Sequence, residues 1–256
     1  MPSGFAIVLP ARYHSTRFPG KPLALIAGKP LIEWVYRRAQ QVPGASRIVV
    51  ATDHEEILAA VRGFGGEVVM TSSDFRTGTD RVAHVARTLG CDPIVNLQGD
   101  EPLFAPALVV EMVALILGSP GTDIVTACHP VFLESEMQNP NAVKVVMDGE
   151  RRALYFSRAP IPHRARSRVP AKAPEVPTDG PEPLGFRHVG IYVFRTPALL
   201  RFTELPTTPL EASESLEQLR ALEHGMVIRV VETPQPTVGV DIPDDVKDVE
   251  KALGGE

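Results

Sequence analysis

The chain has 256 residues, a formal net charge of −5 and 44% hydrophobic residues. That length fits one large α/β domain or two small ones with a sizeable core, and the acidic balance removes bulk attraction to nucleic acid as a theme. No run reaches the roughly 18 apolar residues of a membrane span, and no basic segment leading into an apolar one opens the chain, so a cytoplasmic protein is expected.

Short apolar runs alternate with helical patterns. Residues 5–9 are predicted as a strand, 31–41 as a helix with an apolar stripe, 47–52 as a strand and 54–64 as a helix ending at Gly65-Gly66. A strand at 67–71, a helix at 79–89 closed by Gly90, a strand at 93–98, a helix at 106–117 and a strand at 123–128 follow. These strands are continuous apolar runs, the pattern of strands covered on both faces. The rhythm predicts an α/β fold with a doubly wound, mostly parallel sheet, in which ligands bind beyond the carboxyl ends of the strands. Cys91 and Cys128 lack metal-ligand spacing and sit in or beside apolar runs, so they read as reduced core thiols.

The second half changes character. Residues 142–147 and 152–156 predict a hairpin around Asp148-Gly149. Residues 158–185 are rich in Pro, Arg and small residues and predict a long loop. A strand at 186–194, a helix at 210–224 ended by Gly225, strands at 227–231 and 237–240, and a helix at 243–253 complete the chain. No repeat or linker divides it. One domain over 1–256 is expected, with 142–225 as its elaboration. The basic stretch from His163 to Lys172 lacks interleaved aromatics, so it reads as loop and not as a nucleic-acid surface.

Two familiar phosphate motifs are absent: no G-x-G-x-x-G follows the first strand, and "AGKP" at 27–30 lacks the other parts of a Walker loop. The loop "PARYHSTRFPGKPL" after the first strand carries Arg12, Ser15, Thr16, Arg17 and Lys21 among Pro10, Pro19, Gly20 and Pro22. Arginine forks and a lysine point charge suit phosphate oxygens, and prolines reduce the loop's freedom. By its chemistry the loop fits a phosphate cradle or a solvated turn. "NLQGDEP" at 96–102 carries a strand straight into Gln98 and Asp100, and "GVDIP" places Asp241 in a similar setting. Carboxylates at strand ends suit Mg²⁺ held jointly with substrate phosphates, although Gly-Asp is also ordinary turn chemistry.

In order, "PARYHSTRFPGKPL", "VVATDHEEI", "TGTDR", "VNLQGDEP", "NPNAVKVV", "ALYFSRAPIP", "RHVGIYVFR", "SLEQLRALEHG" and "GVDIPDD" resemble the blocks of the 3-deoxy-manno-octulosonate cytidylyltransferase (CMP-KDO synthetase) family over essentially the whole chain. The resemblance implies a nucleotidyltransferase-type α/β fold and a Mg²⁺-dependent homodimer. It also implies transfer of CMP from CTP to the sugar acid KDO, releasing diphosphate and activating KDO for lipopolysaccharide synthesis. Related acceptors are an amino-KDO or a nonulosonic acid, and a rival reading is a non-catalytic nucleotide-binding module.

The resemblance also carries roles. Arg12, Ser15 and Lys21 would hold the CTP phosphates, with Arg17 assisting. Thr79, Asp80 and Arg81 lie in the family's "SGT-[DE]-R" block near the nucleotide, where this chain has Thr77 for the Ser and Phe75-Arg76 before it. Gln98 and Asp100 match sugar- and metal-contacting positions, Gln98 also lying beside the nucleotide, and Asp241 matches the second metal carboxylate. Lys21, Arg12, Asp100 and Asp241 would thus carry the chemistry. Arg158, His188, Tyr192, Glu214, Glu217 and Gln218 would face the sugar, the last three sharing a face of the 210–224 helix.

Overall fold

The computed structural model describes residues 4–14, 18–163, 182–234, 239–240 and 242–253. The first half forms β1 (Phe5–Ala11), the small hairpin β2 (Leu25–Ile26) and β3 (Lys29–Pro30), α1 (Leu31–Ala39), β4 (Ala45–Thr52), α2 (Glu55–Gly63), β5 (Glu67–Met70), α3 (Gly78–Leu89), β6 (Ile94–Leu97) and α4 (Pro106–Gly118). The second half forms β7 (Ile124–Val131), α5 (Glu134–Gln138), the hairpin β8 (Lys144–Met147) and β9 (Ala153–Ser157), β10 (Gly185–Phe194) and α6 (Thr196–Glu204). It ends with α7 (Pro209–Glu214), α8 (Gln218–Glu223), β11 (Ile228–Glu232) and α9 (Asp245–Leu253). No helix among the described residues is long and apolar enough to cross a membrane.

Nine strands make one sheet in the order β11-β7-β10-β6-β1-β4-β5, with β8 paired to β10 and β9 to β8. β1 runs parallel to β4 and β6, and β4 parallel to β5. β10 enters antiparallel to both β6 and β7, so the sheet is mixed where the later half joins it. All seven residues of β1 are buried. Phe5, Ile7 and Leu9 enter one core with α1 and α4, while Ala6 and Val8 enter the other with α3 and α6. The alternation is hidden in the sequence because both faces are apolar.

α3 starts where the sequence supplies a reciprocal cap. The Thr77 hydroxyl accepts the Asp80 N–H at 3.1 Å, and the Asp80 carboxylate accepts the Thr77 N–H at 2.9 Å, so two orphan donors are satisfied together.

The structure corrects four sequence expectations. The helix expected at 210–224 is two helices, α7 and α8, broken at Ser215 with φ of 53°. The Arg158 guanidinium donates to the Glu214 carbonyl at 2.8 Å and the Ser215 carbonyl at 3.5 Å, satisfying acceptors that the ended helix leaves open. The helices α5 and α6 fall where no element was expected. Gly239 and Val240 are not strand, the rest of 237–240 lying outside the described residues, and the last helix begins at Asp245 instead of 243. Most of the 158–185 loop, residues 164–181, also lies outside them.

Removal of the α3 cap by Thr77→Ala is expected to lower stability by about 1 kcal/mol in chemical denaturation; an unchanged midpoint would show that water satisfies these donors equally well.

Candidate active site

β4 and β5 leave β1 on one side and β6 lies on the other, so a crevice opens beyond the carboxyl ends of β1 and β6. Gly99 allows the close approach there, since a Cβ on it would stand 3.0 Å from the Pro10 carbonyl oxygen. Gly20 serves the loop differently from a backbone approach. It sits in the left-handed region at φ of 70° and starts the single tight turn Lys21–Leu23, whose Pro22 is buried.

That turn aims Lys21 across the crevice. Its ammonium donates to Asp100 Oδ2 at 2.5 Å and to the Val240 carbonyl at 2.9 Å. Arg12 joins the same cleft of about 360 Å³, which Gln98, Asp100 and Gly78 also line, and Arg12 is tethered by a 2.9 Å bond to the Arg76 carbonyl. The structure therefore brings Arg12, Lys21, Gln98 and Asp100 together. Ser15, Arg17 and Asp241 lie outside the described residues. The donor set suits a hard cation. Asp100 keeps a 30% exposed carboxylate beside a backbone carbonyl and already holds a cationic group. Among the described residues no group of three or more His, Cys, Asp or Glu side chains is placed to hold a metal ion.

Two residues expected at the nucleotide are fully buried. Arg81 is fully buried. Its guanidinium pairs with Asp53 Oδ2 at 2.7 Å and donates to the Thr71 hydroxyl and, at 3.3 Å, to the Ser72 carbonyl. Asp53 in turn accepts the Tyr13 N–H at 3.5 Å, so Arg81 braces the phosphate-side loop from beneath. Thr79 is likewise fully buried. Its hydroxyl donates to Glu217 Oε1 at 2.5 Å and accepts from Asn96 Nδ2 at 3.1 Å.

On the other side of the sheet's centre, the His188 and Tyr192 rings stand 5.4 Å apart, with Phe156 packed on His188. His188 Nε2 shares a 2.8 Å bond with the Thr126 hydroxyl. Burial, aided by Arg187, drives the His188 pKa down to about 3, and burial together with Glu217 pushes the Tyr192 phenol well up. Burial also raises Glu217 against the opposing pull of Thr79 and Arg220. Glu214, Glu217 and Gln218 do not share one helix face, because Ser215 separates them. Burial pushes Glu214 up, but donors from the Arg158 N–H at 2.9 Å, the Ser157 hydroxyl at 2.6 Å and Tyr155 outweigh it and hold it below its ordinary value. Glu214 is thus committed to β9. Arg158 is committed to backbone carbonyls, including that of Pro140 at 3.1 Å, and positions the α7–α8 turn instead of standing free for a carboxylate. Gln218 is buried beside them.

Residues 6–228 match the family model described as Cytidylyltransferase. The chain belongs to the cytidylyltransferase family. It is 50% identical over 249 residues to a 3-deoxy-manno-octulosonate cytidylyltransferase of Syntrophotalea carbinolica, covering 97% of this chain and 98% of that protein. A protein of the same name from Geobacter sulfurreducens is 48% identical over 96% of this chain and 98% of its own length. Among solved structures, CMP:2-keto-3-deoxy-manno-octonic acid synthetase complexed with CTP superposes with a TM-score of 0.88 at 40% identity, covering 99% of both chains. A cytidylyltransferase from Leptospira borgpetersenii superposes with a TM-score of 0.63 at 18% identity, covering 99% of this chain and 87% of its own, and shows the fold alone.

Several side chains of this cytidylyltransferase escaped the sequence reading. Asn96 and Thr126 are buried polar residues inside apolar strands, a signal visible in "PIVNLQ" and "DIVTAC". Asp53 follows β4 much as Asp100 follows β6, and that parallel was readable. Arg220 forms a buried fork with Glu211 at 2.8 and 2.5 Å, joining α8 to α7; nothing in their spacing announces it.

Folding keeps His188 neutral, so between its folded value of about 3 and the ordinary 6.5 the unfolded chain binds the extra proton. Stability from this group is therefore complete above about pH 6.5 and is lost as pH falls toward 3. Replacement by His188→Gln is expected to flatten the acid limb of stability against pH, measured by denaturation from pH 7 to pH 4; an unchanged slope would contradict this, and His129, also lowered by burial, would then carry the limb.

Proposed function

We propose that the protein is a 3-deoxy-manno-octulosonate cytidylyltransferase, joining the CMP unit of CTP to the 2-hydroxyl of the sugar acid and releasing diphosphate. The observation that carries this reading is the convergence of Lys21, Arg12, Gln98 and Asp100 at the β1–β6 crevice, in a chain matching proteins of that name over nearly its whole length.

The chain's contribution is positioning and charge. Lys21 and Arg12 bind phosphate oxygens, Lys21 as a point charge and Arg12 as a fork. The anomeric 2-hydroxyl oxygen, giving up its proton to solvent, bonds to the α-phosphorus in line as the bond to the diphosphate oxygen breaks, and charge growing on the departing diphosphate meets the two cations. Asp100, with Asp241 as second carboxylate, would hold Mg²⁺, which when bound neutralises triphosphate charge and polarises the α-phosphate. Glu217 and Gln218 offer polar groups to sugar hydroxyls, and neutral His188 with Tyr192 forms the wall beside them. The reading includes a homodimer through 142–225, where Leu154, 60% exposed on β9, is an apolar side chain such a contact would cover. Two buried free thiols accord with a cytoplasmic setting.

Diphosphate release is expected to need both CTP and KDO and to stop on chelation. Lys21→Ala and Asp100→Ala are each expected to reduce kcat about 100-fold or more with folding intact by circular dichroism; near-normal turnover in both would remove this site from the reaction. Higher kcat/KM for an amino-KDO or a nonulosonic acid would reassign the acceptor and leave the chemistry.

A further inference from the structure

We propose that Asn96 and Thr79 are positioning residues that wire Gln98, on the nucleotide side, to Glu217, on the sugar side, through a hydrogen-bond chain with a single direction. The inference rests on the site reading above and deepens it.

The chain is continuous. Gln98 Nε2 donates to Asn96 Oδ1 at 3.1 Å, Asn96 Nδ2 donates to Thr79 Oγ1 at 3.1 Å, and Thr79 Oγ1 donates to Glu217 Oε1 at 2.5 Å. Its two middle members are fully buried and reach no ligand themselves. Asn96 sits in β6 between Val95 and Leu97, which pack into the other core, so its amide faces the α3 layer. Thr79 stands in the first turn of α3, whose backbone the Thr77–Asp80 cap fixes. A buried amide and hydroxyl at such positions are costly unless paired, and apolar side chains would pack there without that cost.

Direction follows from donor counting. The Thr79 hydroxyl has one proton, and a carboxylate can only accept it. Thr79 must then accept from Asn96, which orients the Asn96 amide with its oxygen toward Gln98. That oxygen takes the Gln98 amino group. What Gln98 leaves facing the cleft is its carbonyl oxygen, 3.6 Å from where a Cβ on Gly78 would stand. Glu217 thus fixes the Gln98 carbonyl oxygen toward the cleft as an acceptor for a hydroxyl or amino group of a bound substrate, beside the second Nε2–H that Asn96 does not take. Thr77 and Asp80 from α3, Arg220 from α8 and Tyr192 from β10 are the other polar groups around Glu217. The same chain ties the two binding surfaces together, because a change in the carboxylate's contacts alters the amide three hydrogen bonds away.

The test is a double-mutant cycle on kcat/KM for KDO at saturating CTP, using Gln98→Ala and Glu217→Ala, run in the parent protein and in the Thr79→Val background. Thr79→Val keeps the shape and removes the hydroxyl. It is expected to lower kcat/KM about 10-fold, and Thr79→Ser to recover at least half of that loss on a logarithmic scale, which a packing role would not do. In the parent the two alanine variants are expected to be non-additive by about 5-fold or more, and in the Thr79→Val background to be additive. Coupling that survives Thr79→Val, or Thr79→Ser as impaired as Thr79→Val, overturns the wiring while the site reading stands. Unchanged kcat/KM in both alanine variants overturns the site reading and the wiring together.

Discussion

The Lys21 ammonium, seated between the Asp100 carboxylate and the Val240 carbonyl, is the contact on which the site's geometry depends. It joins segments 79 and 219 residues apart in the chain: the loop after β1, the turn after β6 and the return from β11. The Val240 N–H also donates to the Asp100 carbonyl at 2.9 Å, tying two of these segments directly. A charge-assisted bond of 2.5 Å in a partly buried crevice fixes all three. An ammonium and a carboxylate set side by side are the chemistry that suits a phosphate oxygen and a hard cation.

A second layer of polar contacts lies beneath this one and serves it. Arg81 and Asp53 are buried as a pair and brace Tyr13; Glu211 and Arg220 hold α7 against α8; Thr126 holds His188. Buried charges are tolerated only with partners, and here each partner lies on a different element. These contacts fix Tyr13, the α7–α8 pair and His188 through side chains from distant parts of the chain.

This division explains what the sequence made legible. Apolar runs located β1, β6, β7 and the buried end of β4 because buried strands leave an unbroken signature. The crevice was readable because Lys21 and Asp100 sit at strand ends, where doubly wound sheets place ligands. The motif blocks single out Arg81 and Thr79, but both side chains point inward to partners that local spacing does not reveal. The break at Ser215 was hidden for the same reason. "LEASESLEQLRALEHG" reads as one helix, and what ends it is Arg158, 57 residues away, together with the commitment of Glu214 to β9. The antiparallel entry of β10 depends on how the chain returns across the sheet, which no local pattern records.

The most direct measurement is a crystal structure of the protein with Mg²⁺ and a non-hydrolysable CTP analogue. The account predicts the triphosphate in the cleft of about 360 Å³, on Lys21 and Arg12, with the Lys21 ammonium drawn from Asp100 toward phosphate oxygen. A triphosphate lodged instead in the larger cleft of about 700 Å³, beside Arg87 and Arg220, with the Lys21–Asp100 contact unchanged, would contradict it.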